Sequence, residues 1–99
     1  MTFKRSIIIL KFIFSFCIAE FEKDLQLQLI LAEPGDTITL DSGLFPILGT
    51  LSMEGKENIV IRGNGINSTT LNFKTQVEGA QGLSITNCKN IILEDFTIQ

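Results

Sequence analysis

The chain has 99 residues, a formal net charge of −3, 44% hydrophobic residues and no His, Tyr or Trp. That length suffices for one small domain. The charge excludes a nucleic-acid binder, whose phosphates need clustered Lys and Arg, and the missing imidazole removes the usual general base near neutral pH and the commonest metal ligand.

Residues 1–19 hold Lys4, Arg5 and Lys11 and no acid. A basic start, a largely apolar stretch from Ser6 to Ala19 and smaller residues just before Glu20 predict a secretory signal peptide over residues 1–19. Cys17 and Ala19 then stand third and first before a cut ahead of Glu20. The apolar run falls short of the roughly 20 residues that span a bilayer. An uncleaved anchor, a lipoprotein signal lipidated on Cys17 and a buried first strand are the competing readings; Phe14-Ser15-Phe16 is bulky for the lipoprotein one. The expected location is secreted or periplasmic. Beyond residue 19 the chain holds five basic and eleven acidic residues, a formal charge of −6. That surplus gives no attraction to an anionic membrane surface, so no membrane partner is expected beyond the export signal.

Residues 20–36 read as an N-terminal capping helix and a turn. Phe21, Leu25, Leu29 and Ala32 recur at helical spacing, and Glu20, Glu22 and Asp24 suit the positive end of a helix. The alternation Leu25-Gln26-Leu27-Gln28-Leu29 also permits a strand, but Gln and Leu are good helix formers and the stretch is long for a strand. Pro34 ends the helix, and Pro34-Gly35 fits a turn with Gly at the position of positive φ.

From Thr37 onward short apolar runs alternate with turn residues. The runs are 37–40, 50–53, 59–62, 70–73, 83–86, 91–94 and 96–98. Pairs such as Ile38/Leu40, Leu51/Met53, Leu71/Phe73 and Leu83/Ile85 place one face inward. Asp41-Ser42-Gly43, Glu54-Gly55-Lys56, Gly63-Asn64-Gly65, 78–82 and Asn87-Cys88-Lys89-Asn90 supply the turns. The linkers are too short for crossover helices, which leaves an antiparallel sandwich or a solenoid. Similarity between Asn58-Ile59-Val60-Ile61-Arg62 and Asn90-Ile91-Ile92-Leu93-Glu94, and strand centres recurring at roughly 20–25 residues, favour stacked repeats. Aligned asparagines would then hydrogen-bond along a ladder.

These residues carry a resemblance. Residues 32–45 (Ala32 to Phe45), residues 58–65 with Thr70-Leu71, and residues 82–85 and 90–98 resemble the opening of right-handed parallel β-helix repeat proteins of the pectin-lyase-like superfamily. The resemblance covers about residues 25–99. It implies an all-β fold, a right-handed parallel β-helix (solenoid), of which residues 37–99 form the first two to three coils. It also implies an exported protein that binds or processes a polysaccharide, as a lyase, epimerase or glycoside hydrolase, with the active coils following Gln99. The partners implied are a polysaccharide ligand and downstream coils of the same polypeptide. The alternative is a non-catalytic solenoid for adhesion or surface display, since fold does not fix function.

The resemblance assigns no catalytic, cofactor-binding or metal-ligating residue here, and this chain by itself is expected to be inactive. Glu94 and Asp95 would point to opposite faces of a strand and so serve as solvated charges, whereas glycoside chemistry needs two carboxyls on one site. Asp36 and Asp41 are read as turn formers. Gly63-Asn64-Gly65 lacks the third glycine and the following helix of a nucleotide loop and reads as a bend. Asn67-Ser68-Thr69 matches a glycosylation acceptor, a triplet common by chance. Arg62 and Lys74 are the cations able to touch an acidic sugar, with solubilising charge as their simpler role. Cys88 reads as a buried structural thiol.

Overall fold

The computed structural model describes residues 20–99. The signal-peptide reading of residues 1–19 therefore lies outside the described residues.

Residues 20–31 form helix α1. Its buried face is Leu25 and Leu29, continued by Ala32, with Phe21 partly buried beside them. The helical spacing in the sequence thus marks the face that packs. Glu33 to Asp36 closes the turn: Asp36 N donates to Glu33 O at 2.9 Å, and Glu33 N donates to Asp36 Oδ2 at 2.9 Å. Gly35 has φ of 95°, which only glycine adopts without strain.

Eight strands follow: β1 (Thr37–Thr39), β2 (Gly43–Pro46), β3 (Leu51–Glu54), β4 (Glu57–Arg62), β5 (Thr69–Asn72), β6 (Leu83–Thr86), β7 (Lys89–Glu94) and β8 (Thr97–Ile98). They make three sheets, ordered β1-β4-β7, β2-β5-β8 and β3-β6. Every pairing is parallel, so the antiparallel sandwich is excluded. The chain visits the three sheets in rotation, and each new rung lies beside the rung laid down one circuit earlier.

The order corrects the sequence reading in three places. Gly43–Pro46 is a strand, not only the end of a turn; it escaped notice because Gly and Pro are poor strand residues. Pro46 is tolerated because β2 is an edge strand. With β2 included a circuit holds three strands, and the spacing falls within 20–25 residues only for β1 with β4; the other pairings are longer. Thr37 pairs with Val60, but Leu51 pairs with Leu83 and Ile59 with Ile91, giving offsets of 23 and 32 residues. Lys89 and Asn90 belong to β7, and the turn before it is only Asn87 and Cys88.

Inward residues stack in like-with-like columns. Ile61 lies between Ile38 and Leu93, Leu71 between Phe45 and Ile98, and Leu51 beside Leu83. Ile38, Leu40, Ile47, Leu51, Met53, Ile59, Ile61 and Leu71 join Leu25 and Leu29 of α1 in one buried cluster. Burial fades away from α1: Leu51 is fully buried, while Leu93 is 41% and Ile98 49% exposed.

Gly63 sits where β4 hands the chain to β5. A Cβ there would overlap Asp95 O and approach Phe96 Cβ at 2.7 Å. Gly63→Ala must therefore push two backbones apart and should cost roughly 1–3 kcal/mol, the range for overpacking. A clear fall in Tm by circular dichroism is expected; an unchanged Tm would refute the packing at this corner.

Candidate functional site

Arg62, Glu94, Asp95, Thr69, Asp36, Asp41 and Cys88 each have a defined structural engagement. Arg62 and Glu94 are partners in the register of β4 and β7, and Arg62 Nε donates to Glu94 Oε2 in an ion pair. Asp95 instead bends the chain at φ 61°, and its carbonyl accepts from Gly65 N at 2.8 Å. Glu94 is thus engaged through its carboxylate and Asp95 through its backbone.

The Gly63-Asn64-Gly65 bend has no free amides to offer a phosphate. Gly63 N donates to Glu94 O, Asn64 N to Thr69 Oγ1 and Gly65 N to Asp95 O. Thr69 is fully buried, and its hydroxyl donates in turn to Asp41 O at 3.0 Å. The third residue of the Asn67-Ser68-Thr69 triplet is therefore an interior strut between two circuits. Asp41 contributes its carbonyl to that strut, and Asp36 closes its turn as expected. Cys88 is half-buried rather than buried, a free thiol packed beside the core. Its Sγ accepts from Lys56 N at 3.4 Å and lies 3.3 Å from Thr86 O.

Several polar side chains with definite work carried no motif. Glu22 accepts from Leu48 N and Gly49 N at 2.9 and 2.8 Å. Gln26 accepts from Ser52 N at 2.8 Å and donates to Ser52 O at 2.9 Å, so its amide occupies the place a neighbouring strand would take beside β3. Lys56 Nζ donates to Ile30 O and Ala32 O, closing the C-terminal end of α1. Gln76 ties residues 73–82 down, donating to Gly49 O at 2.7 Å and accepting from Gly82 N at 2.8 Å. Their signal was a polar residue beside apolar ones, too common to single out.

Outward residues form polar columns. Ser52 lies beside Ser84 and Thr70 beside Thr97. Asn72 Nδ2 donates to Gln99 Oε1 at 3.2 Å. Asn58 and Asn90, both with φ near 57°, are joined from Nδ2 of Asn90 to Oδ1 of Asn58 at 3.1 Å, the ladder expected from the sequence. An open groove of about 720 Å³ runs along α1, lined among others by Glu22, Lys23, Gln26, Leu27, Ile30 and Leu48. Of the two cations weighed as sugar contacts, Arg62 is committed to Glu94, whereas Lys74 is exposed and forms no ion pair among the described residues.

Among the described residues no cluster of three or more His, Cys, Asp or Glu could hold a metal ion, and no helix is long and apolar enough to cross a membrane. No family model, no curated protein and no solved structure matches the chain.

The asparagine ladder yields a test that separates backbone from side chain. Asn58→Gly adopts the positive φ without strain and loses the amide contact, at a cost of at most about 0.5–1.5 kcal/mol. Asn58→Ala keeps the Cβ in left-handed backbone but lacks the short polar side chain that lets asparagine tolerate it, adding roughly 1–2 kcal/mol. The Ala variant should melt below the Gly variant; equal melting temperatures would refute the separation.

Proposed function

We propose that the chain is the N-terminal part of an exported right-handed parallel β-helix protein of the pectin-lyase-like kind, which binds or processes a polysaccharide. The observation that carries this reading is the rotation of parallel rungs through three sheets in register. A chain wound this way presents long flat faces on which hydroxyl and amide side chains repeat at the strand spacing of about 4.8 Å. Such faces suit an extended ligand that offers hydroxyl groups at regular intervals. Right-handedness of the winding follows the strong preference of parallel crossover connections.

Lys74 and the adjacent Asn72–Gln99 pair at the start of residues 73–82 are the polar group we assign to the sugar. Lys74 carries an uncommitted charge, and the amides can accept and donate. The surplus of acids over bases past residue 19 favours a neutral or sparsely charged polysaccharide over a dense polyanion. A non-catalytic solenoid for surface display is the second reading, favoured by the Ser52/Ser84 and Asn58/Asn90 columns, where outward polar groups serve the stack itself.

Two measurements test the proposal. In affinity electrophoresis the chain should be retarded by a neutral or lightly charged polysaccharide, and Lys74→Ala should weaken retardation several-fold without changing Tm. Equal mobility in every polysaccharide gel would overturn the sugar reading. For export, residues 1–19 fused to a periplasmic reporter should deliver it across the membrane, with Glu20 as the first residue of the exported product; a reporter retained with Met1 intact would overturn it.

A further inference from the structure

Of the asparagines in the chain, only Asn64 is followed by glycine. That order is the one most prone to spontaneous deamidation, because no Cβ on the next residue hinders its backbone nitrogen from reaching the side-chain amide. Asn58 and Asn90 are instead followed by isoleucine, whose branched side chain obstructs the same approach. Asn64 is exposed, so hydroxide and water reach it. Yet the two groups that would react are both held.

The circuits on either side hold them. From the circuit before, Leu40 O accepts from Asn64 Nδ2 at 3.1 Å, and Gly43 N donates to Ser68 O at 2.7 Å. From the circuit after, Asp95 O accepts from Gly65 N at 2.8 Å, and Thr97 Oγ1 donates to Ile66 O at 2.6 Å. The nucleophile, Gly65 N, keeps its proton while it donates to Asp95 O. The amide of Asn64 cannot turn over that nitrogen while it donates to Leu40 O. Reaction therefore waits on an opening of the corner, as exchange of a protected amide hydrogen does.

We propose that Asn64 is a modification site gated by the stack: it converts to aspartate or isoaspartate only while residues 94–97 are lifted from the corner, and conversion then hinders their return. In the open corner hydroxide takes the amide proton of Gly65, and the nitrogen attacks Cγ of Asn64. The N–Cγ bond forms, the Cγ–Nδ2 bond breaks and ammonia leaves with a proton regained from water, giving a cyclic imide. Water then opens the imide at either carbonyl, its hydroxyl going to carbon and its proton to nitrogen. Aspartate can no longer donate to Leu40 O, since an ionised carboxylate only accepts. Isoaspartate also adds a backbone carbon next to Gly63, where even a Cβ overlaps Asp95 O. The corner thus keeps a one-way record of separation between circuits. This inference rests on the hydrogen bonds of the corner, not on the sugar reading, and either stands if the other fails.

The test uses the full chain and an end-capped peptide with the sequence of residues 60–69, both kept in mildly alkaline buffer and followed by peptide mapping with mass spectrometry. Asn64 should convert roughly tenfold or more slowly in the folded chain than in the peptide, since only the open fraction reacts. Gly63→Ala, which pushes Asp95 away, should raise the rate in the chain several-fold. Thr97→Val removes only the bond to Ile66 O and decides if Gly63→Ala does not melt cooperatively. Across a denaturant series on the unchanged chain, conversion of Asn64 should quicken in step with hydrogen exchange at the Gly65 amide. Chain recovered after conversion should melt below the unconverted chain. Equal rates in chain and peptide would overturn the gate, as would a deciding variant no faster than the unchanged chain, or conversion that does not follow exchange at Gly65. Equal melting of converted and unconverted chain would overturn the one-way record.

Discussion

Neighbouring rungs in this protein meet edge to edge through parallel backbone hydrogen bonds, and that contact dictates what every side chain has beside it. Parallel pairing brings equivalent positions of successive circuits side by side, so each position sees a copy of its own environment. Apolar residues satisfy this without difficulty, and Leu51 beside Leu83 or Ile59 beside Ile91 need only match in volume. Polar residues must be their own partners. An amide can be, since it donates on one side and accepts on the other, and Asn58 with Asn90 does so. A charge cannot be, and the Glu57/Lys89 and Arg62/Glu94 columns change sign from one rung to the next.

A stack held together in this way has a difficulty at its first rung, where backbone groups face no neighbour. Helix α1 meets it with side chains. The amide of Gln26 stands in for a peptide group against Ser52, the carboxylate of Glu22 takes two amide protons near Leu48, and Leu25 with Leu29 fills the apolar centre. Lys56 returns the favour by satisfying the last carbonyls of the helix. Phe21 stacks on Phe45 with ring centroids 3.9 Å apart, fixing the entry of α1 over β2. The helix and the first circuit are thus one folding unit, in which each supplies the polar partners the other lacks.

The inward alternation, the helix face and the Pro34-Gly35 turn were legible in the sequence because each depends on residues close together in the chain. So was the asparagine alignment, since its two copies are similar. Strand β2 was not, because Gly43 and Pro46 contradict strand propensity and only the neighbouring rung at Thr69 to Asn72 makes the segment extended. Nor were the tasks of Gln26, Glu22 and Gln76, whose partners lie 26 to 29 residues away. The committed state of Arg62 was equally hidden. It depends on the register of two strands, and a single residue of slip would have left the guanidinium free. For the candidate site, the sequence singled out Arg62 and Lys74 but not which of them the fold would engage in an ion pair.

The corners between sheets differ in a way that divides the molecule's freedom. Between the third and first sheets the connection is two residues in both circuits, Gly55-Lys56 and Asn87-Cys88. Gly55 and Asn87 both adopt positive φ there. Residues 51–62 and 83–94 consequently pair at one constant offset, without a gap, which keeps the two stretches in step. Between the second and third sheets the connection grows from residues 47–50 to residues 73–82. Loop-closure entropy charges only about 0.8 kcal/mol for that lengthening. One corner thus acts as the spine of the winding, while the other can acquire new loops without disturbing the stack. Variation selected in this protein would be expected to gather at the second corner, where length is cheap and register is not at stake.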